Sequence, residues 1–270
     1  MMHRPFVLLA VGASALALPA VAAHRAGPTV PAAQERYCYT QRDDDEMIQN
    51  GAYDGRFTFF RVRYDPPGDG RWRRRDKYWD HDTPRAERHF MKILREITTL
   101  RPTMDCGAIY AFGDPESFKY PIAYVSEPGF WTMTQRELEG LREYVQKGGF
   151  VIFDDFFMDA WQNFEWLWKQ AFPESQIVRL DLSHPIFDSF YRIESLDMSY
   201  QGQGFYRGAR SEFYGVFEDN DPSKRLIAII NYQNDLGDYM EFSDTEFIPI
   251  DLSNEAYKLM VNYVVYAMTH

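Results

Sequence analysis

The chain has 270 residues, of which 45% are hydrophobic and 17% aromatic, so a sizeable core is expected in one large domain or two small ones. This composition excludes extensive intrinsic disorder beyond the N-terminus. The formal net charge of −11 argues against nucleic-acid binding, because that function needs a basic surface.

The N-terminus is typical of a secretory signal peptide over residues 1–23. A short basic start at Arg4 precedes an apolar run over residues 6–18, and small residues at 20–23 suit cleavage. The apolar run is too short to span a bilayer comfortably; the alternative is an uncleaved N-terminal anchor. No later stretch is apolar and long enough to span a membrane, so we expect a periplasmic or secreted protein with no membrane span in its mature chain.

Residues 24–54 predict an extended N-terminal segment, rich in Pro, Ala and Gln and then acidic at residues 43–46. The chain has two cysteines, Cys38 in this segment and Cys106 further on. In an oxidising compartment the two are able to pair and tie the segment down. The sequence leaves that pairing open.

Three strands and two helices are predicted in the next part of the chain. Thr83-Pro84 predicts a helix with Thr as N-cap and Pro as its first residue. Thr134 and Glu137 form a capping box that begins the second helix, and Gly148 is its expected C-cap. β-branched and aromatic residues predict the strands over residues 57–64, 106–111 and 121–125.

A short apolar run over residues 150–153 lies between two glycines and two carboxylates. A strand that is apolar throughout is typical of the middle of a sheet covered on both faces. Beyond it we expect an aromatic helix over residues 159–172, strands over 177–180, 212–218 and 226–232, and a last helix over 254–268.

Strands alternate with helices, so the sequence predicts an α/β domain with a mostly parallel sheet and helices on both faces. Such sheets carry their ligand sites at the carboxyl ends of the strands. Asp154 and Asp155 end the central strand and Glu127 follows its predicted neighbour, so a carboxylate pair is expected there. The alternative is that both aspartates cap the next helix, where negative charge is favoured.

Two more polar segments are candidates for the site. His184, in a His-Pro turn, is either a ligand donor or general base, or the cap of a short helix. Asn231 and Asp235 belong to a polar loop after the last strand, and their side chains suit hydroxyl or amide ligands as well as ordinary turns.

The loop over residues 71–82 follows the first strand and mixes cations with aromatics, which places Trp79 and Asp80 at the rim of the predicted site. Its aromatic rings suit a sugar or peptide, and its arginines suit a carboxylate or phosphate. The alternative is that this loop docks the chain's own acidic residues 43–46.

The sequence contains no GxSxG elbow, HExxH, P-loop, GxGxxG or zinc-type Cys/His cluster. We therefore assign no cofactor, no metal ligand and no catalytic residue from the sequence.

Several segments, in this order, resemble the bacterial domain of unknown function 4159 (DUF4159) family over about residues 55–270. They are Trp79-Asp80 before the helix at Thr83, residues 141–150, Phe153-Asp154-Asp155-Phe156, residues 184–187 and residues 262–269. The resemblance implies the class I glutamine amidotransferase-like fold, a flavodoxin-like sandwich also used by ThuA-like proteins. Those amidotransferases carry a nucleophilic Cys on an elbow after a central strand. This sequence has no Cys there, so glutaminase activity is not implied.

The sequence thus predicts an exported ligand-binding protein with an amidotransferase-like fold that lacks the nucleophilic Cys. The expected ligand is a small molecule, a saccharide or a peptide, and an envelope protein is a candidate partner. One alternative is a carboxylate- or metal-assisted hydrolase acting on envelope saccharide or peptide. Another is a non-catalytic scaffold of an envelope complex. The predicted ligand-binding residues are Asp154, Asp155, Glu127, His184, Asn231, Asp235, Trp79 and Asp80.

Overall fold

The computed structural model describes residues 50–65, 77–104, 106–198 and 210–270. The predicted signal peptide over 1–23, most of the segment over 24–54 with Cys38, and the basic residues of the loop over 71–76 lie outside the described residues. Cys106 is buried and disulfide-bonded.

One seven-stranded sheet organises the described part of the chain, with strand order β2-β1-β3-β4-β7-β6-β5. The strands β2, β1, β3, β4 and β7 are parallel neighbours, whereas β6 runs antiparallel to both of its neighbours. The sheet is therefore mostly parallel, as predicted. The strands are β1 Phe60–Val62, β2 Ala108–Tyr110, β3 Ile122–Ser126, β4 Phe150–Phe156, β5 Ile177–Arg179, β6 Glu212–Phe217 and β7 Leu226–Tyr232.

Helices cover both faces of this sheet. Side chains of the buried, apolar strands alternate between the faces, so both faces are apolar and need to be covered. In the central strand β4, Phe150 and Ile152 pack into one core, and Val151 and Phe153 into the other. The first core also takes side chains of α1, α4 and α5, and the second takes those of α2 and α3. The helices are α1 Arg85–Ile97, α2 Gln135–Gln146, α3 Ala160–Ala171, α4 Leu236–Glu241 and α5 Ile250–Thr269.

The helix ends agree with the sequence in part. The capping box is confirmed, since Thr134 accepts from the Glu137 backbone and Glu137 accepts from the Thr134 N–H. The predicted start of the first helix is wrong by one residue: Pro84 is the N-cap, and the Thr83 hydroxyl donates to Glu87 instead. Lys147 is the C-cap of α2, and Gly148 follows it with a φ of 99°, a backbone conformation that suits glycine.

The side chain of Asn50 lies against the edge strand β2. The Asn50 amide donates to the Ile109 carbonyl at 2.8 Å, and its oxygen accepts from the Ile109 N–H at 2.6 Å. Asn50 thus supplies both partners that an adjacent strand would offer to Ile109.

None of the helices in the described ranges is long and apolar enough to cross a bilayer.

Candidate functional site

The ends of three neighbouring parallel strands bring three of the predicted residues together. Ser126 pairs with Asp154 at the ends of β3 and β4, and the Glu127 N–H donates to the Asp154 carbonyl at 3.0 Å. The Asp155 N–H donates to the Asn234 carbonyl at 3.1 Å, which fixes the segment after β7 against β4. Glu127, Asp155 and Asp235 therefore meet at one edge of the sheet.

A cavity of about 690 Å³ opens at this edge. We call it the acidic cavity, because the described residues that line it include seven carboxylates and one histidine but no Lys or Arg. These polar residues are His81, Asp82, Glu127, Asp155, Asp159, Asp235, Asp238 and Glu241. The remaining lining is mainly apolar and consists of Gly129, Phe130, Phe156, Phe157, Met158, Ala160 and Phe242.

Three carboxylates of the acidic cavity lie on strained backbone. Asp82, Glu127 and Asp155 have φ angles of 62°, 45° and 60°, in the left-handed region that non-glycine residues seldom adopt. At Asp155 this conformation accompanies a register shift between β4 and β7, which interrupts the alternation of the strand. Each such residue costs on the order of 1–3 kcal/mol, and such strain is concentrated at functional sites.

The polar side chains of the acidic cavity form two clusters with the spacing of metal ligands. His81, Glu127 and Asp155 make the first cluster, and within it one donor atom of each residue lies within 4.8 Å of the others. The His81 Nδ1 and a Glu127 carboxylate oxygen are in direct contact. Asp82, Asp235 and Asp238 make the second cluster, with the same 4.8 Å limit.

Burial, followed by neighbouring charges, raises the pKa values of Asp155 and Asp82. Burial raises the pKa of the Asp155 carboxyl well above its usual range, and the charges of Asp235, Glu127 and Asp82 raise it further. Burial also raises the pKa of Asp82, with Asp235 adding to the effect and the Arg61 guanidinium opposing it. Two unit charges 4.8 Å apart repel by on the order of 3 kcal/mol at an effective dielectric constant of 20.

Asp154 has a different environment from Asp155. Its side chain is fully buried and accepts hydrogen bonds from the Tyr124 hydroxyl at 2.6 Å, the Asn231 amide at 3.0 Å and the Gly237 N–H at 3.0 Å. Burial raises the pKa of Asp154 to about 6, and these hydrogen bonds oppose the rise. Asp154 therefore joins β3, β7 and the first turn of α4 beneath the acidic cavity.

A buried ion pair supports the segment that carries His81 and Asp82. The Arg61 Nε donates to a Glu87 oxygen at 2.6 Å, and both side chains are 2% exposed. Arg61 also donates to the Trp79 carbonyl at 3.1 Å, and its guanidinium lies 4.9 Å from the centre of the Tyr124 ring. The pair thus links β1 and α1 to the segment before α1.

The other predicted site residues lie outside the cavity lining. Asn231 is buried between Asp154 and the Tyr263 hydroxyl, which donates to it at 2.8 Å. Trp79 is partly buried, and Asp80 lies 3.7 Å from Lys77 in an ion pair. For Trp79 and Asp80, ligand binding stays a prediction.

His184 lies towards the opposite edge of the sheet. Its ring packs against Phe217 and Tyr266, and Phe217 ends the antiparallel strand β6. The His184 Nδ1 accepts from the Ile186 N–H at 3.2 Å, so the side chain caps the short 3₁₀ turn Pro185–Asp188. Burial lowers the pKa of His184.

Five polar residues of the cavity were missed at the level of sequence: His81, Asp82, Asp159, Asp238 and Glu241. His81 and Asp82 belong to the loop that was predicted to reach this edge. The adjacent imidazole and carboxylate in that loop were the sequence signal that identifies them as site residues. Asp238 and Glu241 lie on α4; Asp238 falls within the predicted polar loop after the last strand, whereas Glu241 lies beyond it.

The fold and the cavity define the class of this protein: an α/β protein with a mostly parallel seven-stranded sheet and a carboxylate-rich cavity at its carboxyl edge. The sequence profile of the family "Domain of unknown function (DUF4159)" matches residues 58–268. The chain belongs to this family. No curated protein matches the chain.

Proposed function

We propose that this is an exported ligand-binding protein whose acidic cavity holds a divalent cation through His81, Glu127 and Asp155. One observation carries the proposal: seven carboxylates and an imidazole line a single cavity, and no lysine or arginine of the described chain lines it with them. Carboxylates held this close repel one another, and a bound divalent cation would turn that repulsion into attraction.

The donor set narrows the choice of cation. An imidazole with two carboxylates suits Zn²⁺ or Mn²⁺ and leaves coordination positions for water or a ligand. The His81–Glu127 contact would be exchanged for bonds to the cation. A ligand oxygen in an open position would then lie beside the apolar part of the cavity.

The apolar lining supports a ligand of mixed character. Phe130 stacks on Tyr78, with ring centres 3.9 Å apart and planes 6° from parallel, so this aromatic surface is held in place. Pockets with an apolar lining and a few convergent polar groups are typical of small-molecule sites. A saccharide or a small peptide offers oxygens to the cation and carbon surface to the rings.

We further infer the class I glutamine amidotransferase-like fold. Five adjacent parallel strands, helices on both faces and a left-handed Asp155 at the end of the central strand support it. Those amidotransferases carry their nucleophilic Cys on an elbow after a central strand, and here that strand ends in a carboxylate. We propose no glutaminase activity. Export is supported by residues 1–23 and by the disulfide at Cys106.

The cation is tested by calorimetric and thermal titration of EDTA-treated protein with Mn²⁺, Zn²⁺, Ca²⁺ and Mg²⁺. We expect saturable binding and a rise in Tm, because a cation at 100 times its Kd stabilises the native state by about 2.7 kcal/mol. Glu127→Gln is expected to weaken binding at least tenfold. Asp159→Asn is the matched control, because Asp159 lines the same cavity but belongs to neither cluster. No cation-dependent stabilisation of the wild type, or equal losses in both variants, would reject the proposal.

A metal-assisted hydrolase is the second candidate, favoured by the close carboxylates and by burial of Glu241, which raises the pKa of that carboxyl. A cation held by His81, Glu127 and Asp155 would supply an activated water, and Glu241, which lines the cavity outside both clusters, would donate a proton to the leaving group. Mass spectrometry of envelope saccharides and peptides after incubation tests this candidate. Cleavage that is lost in Asp155→Asn and kept in Asp159→Asn would favour the hydrolase. If all substrates stay intact, the protein binds its ligand without cleaving it.

A further inference from the structure

We propose that the acidic cavity binds a second divalent cation, held by Asp82, Asp235 and Asp238 beside the first. The inference rests on the proposed function, because it makes the cation site at His81, Glu127 and Asp155 one half of a two-cation centre.

The chain places the two clusters side by side. His81 and Asp82 are consecutive residues, yet each contributes to a different cluster. The Asp155 N–H donates to the Asn234 carbonyl at 3.1 Å, and Asn234 directly precedes Asp235. Both clusters line the same cavity, so cations at the two positions would be neighbours.

An oxygen without a hydrogen-bond donor points to a ligand at the second cluster. The Asp82 Oδ2 is buried from solvent and has no hydrogen-bond partner within the described part of the chain. A buried carboxylate oxygen normally accepts at least one hydrogen bond, and leaving it without one is costly. A cation between Asp82, Asp235 and Asp238 would satisfy this atom.

Gly237 makes room for the Asp82 carboxylate. A Cβ on Gly237 would overlap the Asp82 Oδ2 and would lie 3.1 Å from the Tyr124 hydroxyl oxygen. The Gly237 N–H donates to Asp154 at 3.0 Å, which holds the first turn of α4 in this position. The absence of a side chain at Gly237 therefore allows Asp82 to reach Asp235 and Asp238.

The chemistry of the second cluster suits a hard cation. Three carboxylates and water are the usual environment of Mg²⁺, Ca²⁺ or Mn²⁺, whereas the imidazole of the first cluster suits Zn²⁺ or Mn²⁺. The Asp235 Oδ1 accepts from the Asp238 N–H at 2.8 Å, which fixes the orientation of this carboxylate beside Asp238. Mn²⁺ fits both clusters and is the appropriate probe.

Two cations a few ångströms apart would bind the oxygens of one ligand group between them. An anionic group such as phosphate or carboxylate would then enter a cavity whose described lining supplies no basic side chain of its own. Such a ligand is expected to require the cations.

The test uses the mature chain loaded with Mn²⁺. Native mass spectrometry and calorimetry are expected to give two Mn²⁺ per chain, and electron paramagnetic resonance a spin-coupled signal in place of the six lines of isolated Mn²⁺. Asp238→Asn is expected to reduce the count to one and restore the six-line signal. Gly237→Ala, which keeps all seven carboxylates, is expected to do the same by displacing Asp82. Asp159→Asn is the control and should keep both ions.

The outcomes separate this inference from the proposed function. One Mn²⁺ in the wild type, lost in Glu127→Gln and unaffected by Asp238→Asn, would overturn the second site and leave the first. Two ions that persist in Asp238→Asn and Gly237→Ala would place the second ion elsewhere and also overturn the inference. No bound Mn²⁺ at all would overturn this inference, whereas the first site would be rejected only if Zn²⁺, Ca²⁺ and Mg²⁺ also failed to bind. Circular dichroism establishes that each variant is folded before its ions are counted.

Discussion

The buried pair of Arg61 and Glu87 gives the sharpest prediction about stability. Glu87→Gln removes the negative charge and leaves the Arg61 guanidinium, which is 2% exposed, without its anion. Breaking a buried ion pair on one side costs about 3–5 kcal/mol, because the remaining charge stays desolvated. The carbonyl of Trp79 and the face of Tyr124 still contact the guanidinium, and the carboxylate of Asp82 still attracts it, so we expect a loss nearer 3 than 5 kcal/mol.

The same helix offers a matched control. Glu96 also lies on α1 and also binds an arginine, Arg95, at 2.7 Å, but these two side chains are 60% and 48% exposed. Exposed pairs contribute little, so Glu96→Gln should change the free energy of unfolding by less than about 0.5 kcal/mol. The two substitutions have the same chemistry and differ in burial.

Urea denaturation followed by tryptophan fluorescence measures both changes, since the chain contains six tryptophans. The double variant Arg61→Met/Glu87→Leu should recover most of the stability lost in Glu87→Gln, because it removes both charges and keeps apolar volume. Equal effects of Glu87→Gln and Glu96→Gln would refute the reasoning. So would a double variant no more stable than the single one.

Three further predictions concern the stability of the fold and its dependence on pH. The pKa of Asp154 is about 6 when folded and near 3.8 when unfolded, so the native state binds more protons in between and stability falls as pH rises. This pKa difference makes the free energy of unfolding about 3 kcal/mol smaller at pH 7 than at low pH. Urea titrations in EDTA at several pH values should therefore give a free energy of unfolding that depends less on pH in Asp154→Asn than in the wild type. Gly140→Ala should destabilise by about 3 kcal/mol or more, because its Cβ would overlap the Phe112 carbonyl, whereas Gly148→Ala meets open space and should cost about 1 kcal/mol through its φ of 99°. Equal losses at the two glycines would contradict this steric argument. Thr134→Ala should lose about 1 kcal/mol of helix capping and Thr134→Ser little, as measured by thermal unfolding; identical values for the two would argue against the capping box.

The sequence predicted the elements whose signal is local. A continuous apolar run after two glycines identified β4, and the capping box identified the start of α2. The helix α4 was missed, because its six residues contain a glycine and two acids and are too few to display a helical period. Its position depends on the contact between the Gly237 N–H and Asp154, which no local pattern shows.

The site also combines residues that a sequence pattern predicts with residues that only tertiary contacts place. Asp155, Glu127 and Asp235 were expected at one edge because parallel strands end together there. His81 and Asp82 reach that edge through the buried Arg61–Glu87 pair and the bond from Thr83 to Glu87 at 2.6 Å, which are tertiary contacts. His184 lies towards the other edge because the chain turns back directly after β5, where the His184 N–H donates to the Asp181 carbonyl at 3.1 Å. The contact of its ring with Phe217 is tertiary, and no local pattern shows it.

The amide of Asn50 has a consequence for how the sheet ends. In the three-residue strand β2, the backbone groups of the first and last residues point towards β1. The Ala108 N–H donates to the Phe59 carbonyl, and the Tyr110 carbonyl accepts from the Arg63 N–H. Ile109 is then the one residue of β2 whose N–H and carbonyl both face outwards, and Asn50 satisfies both. Among the described residues, Asn50 thereby occupies a sheet edge at which a second copy of the chain would otherwise be able to add a strand and start a fibre.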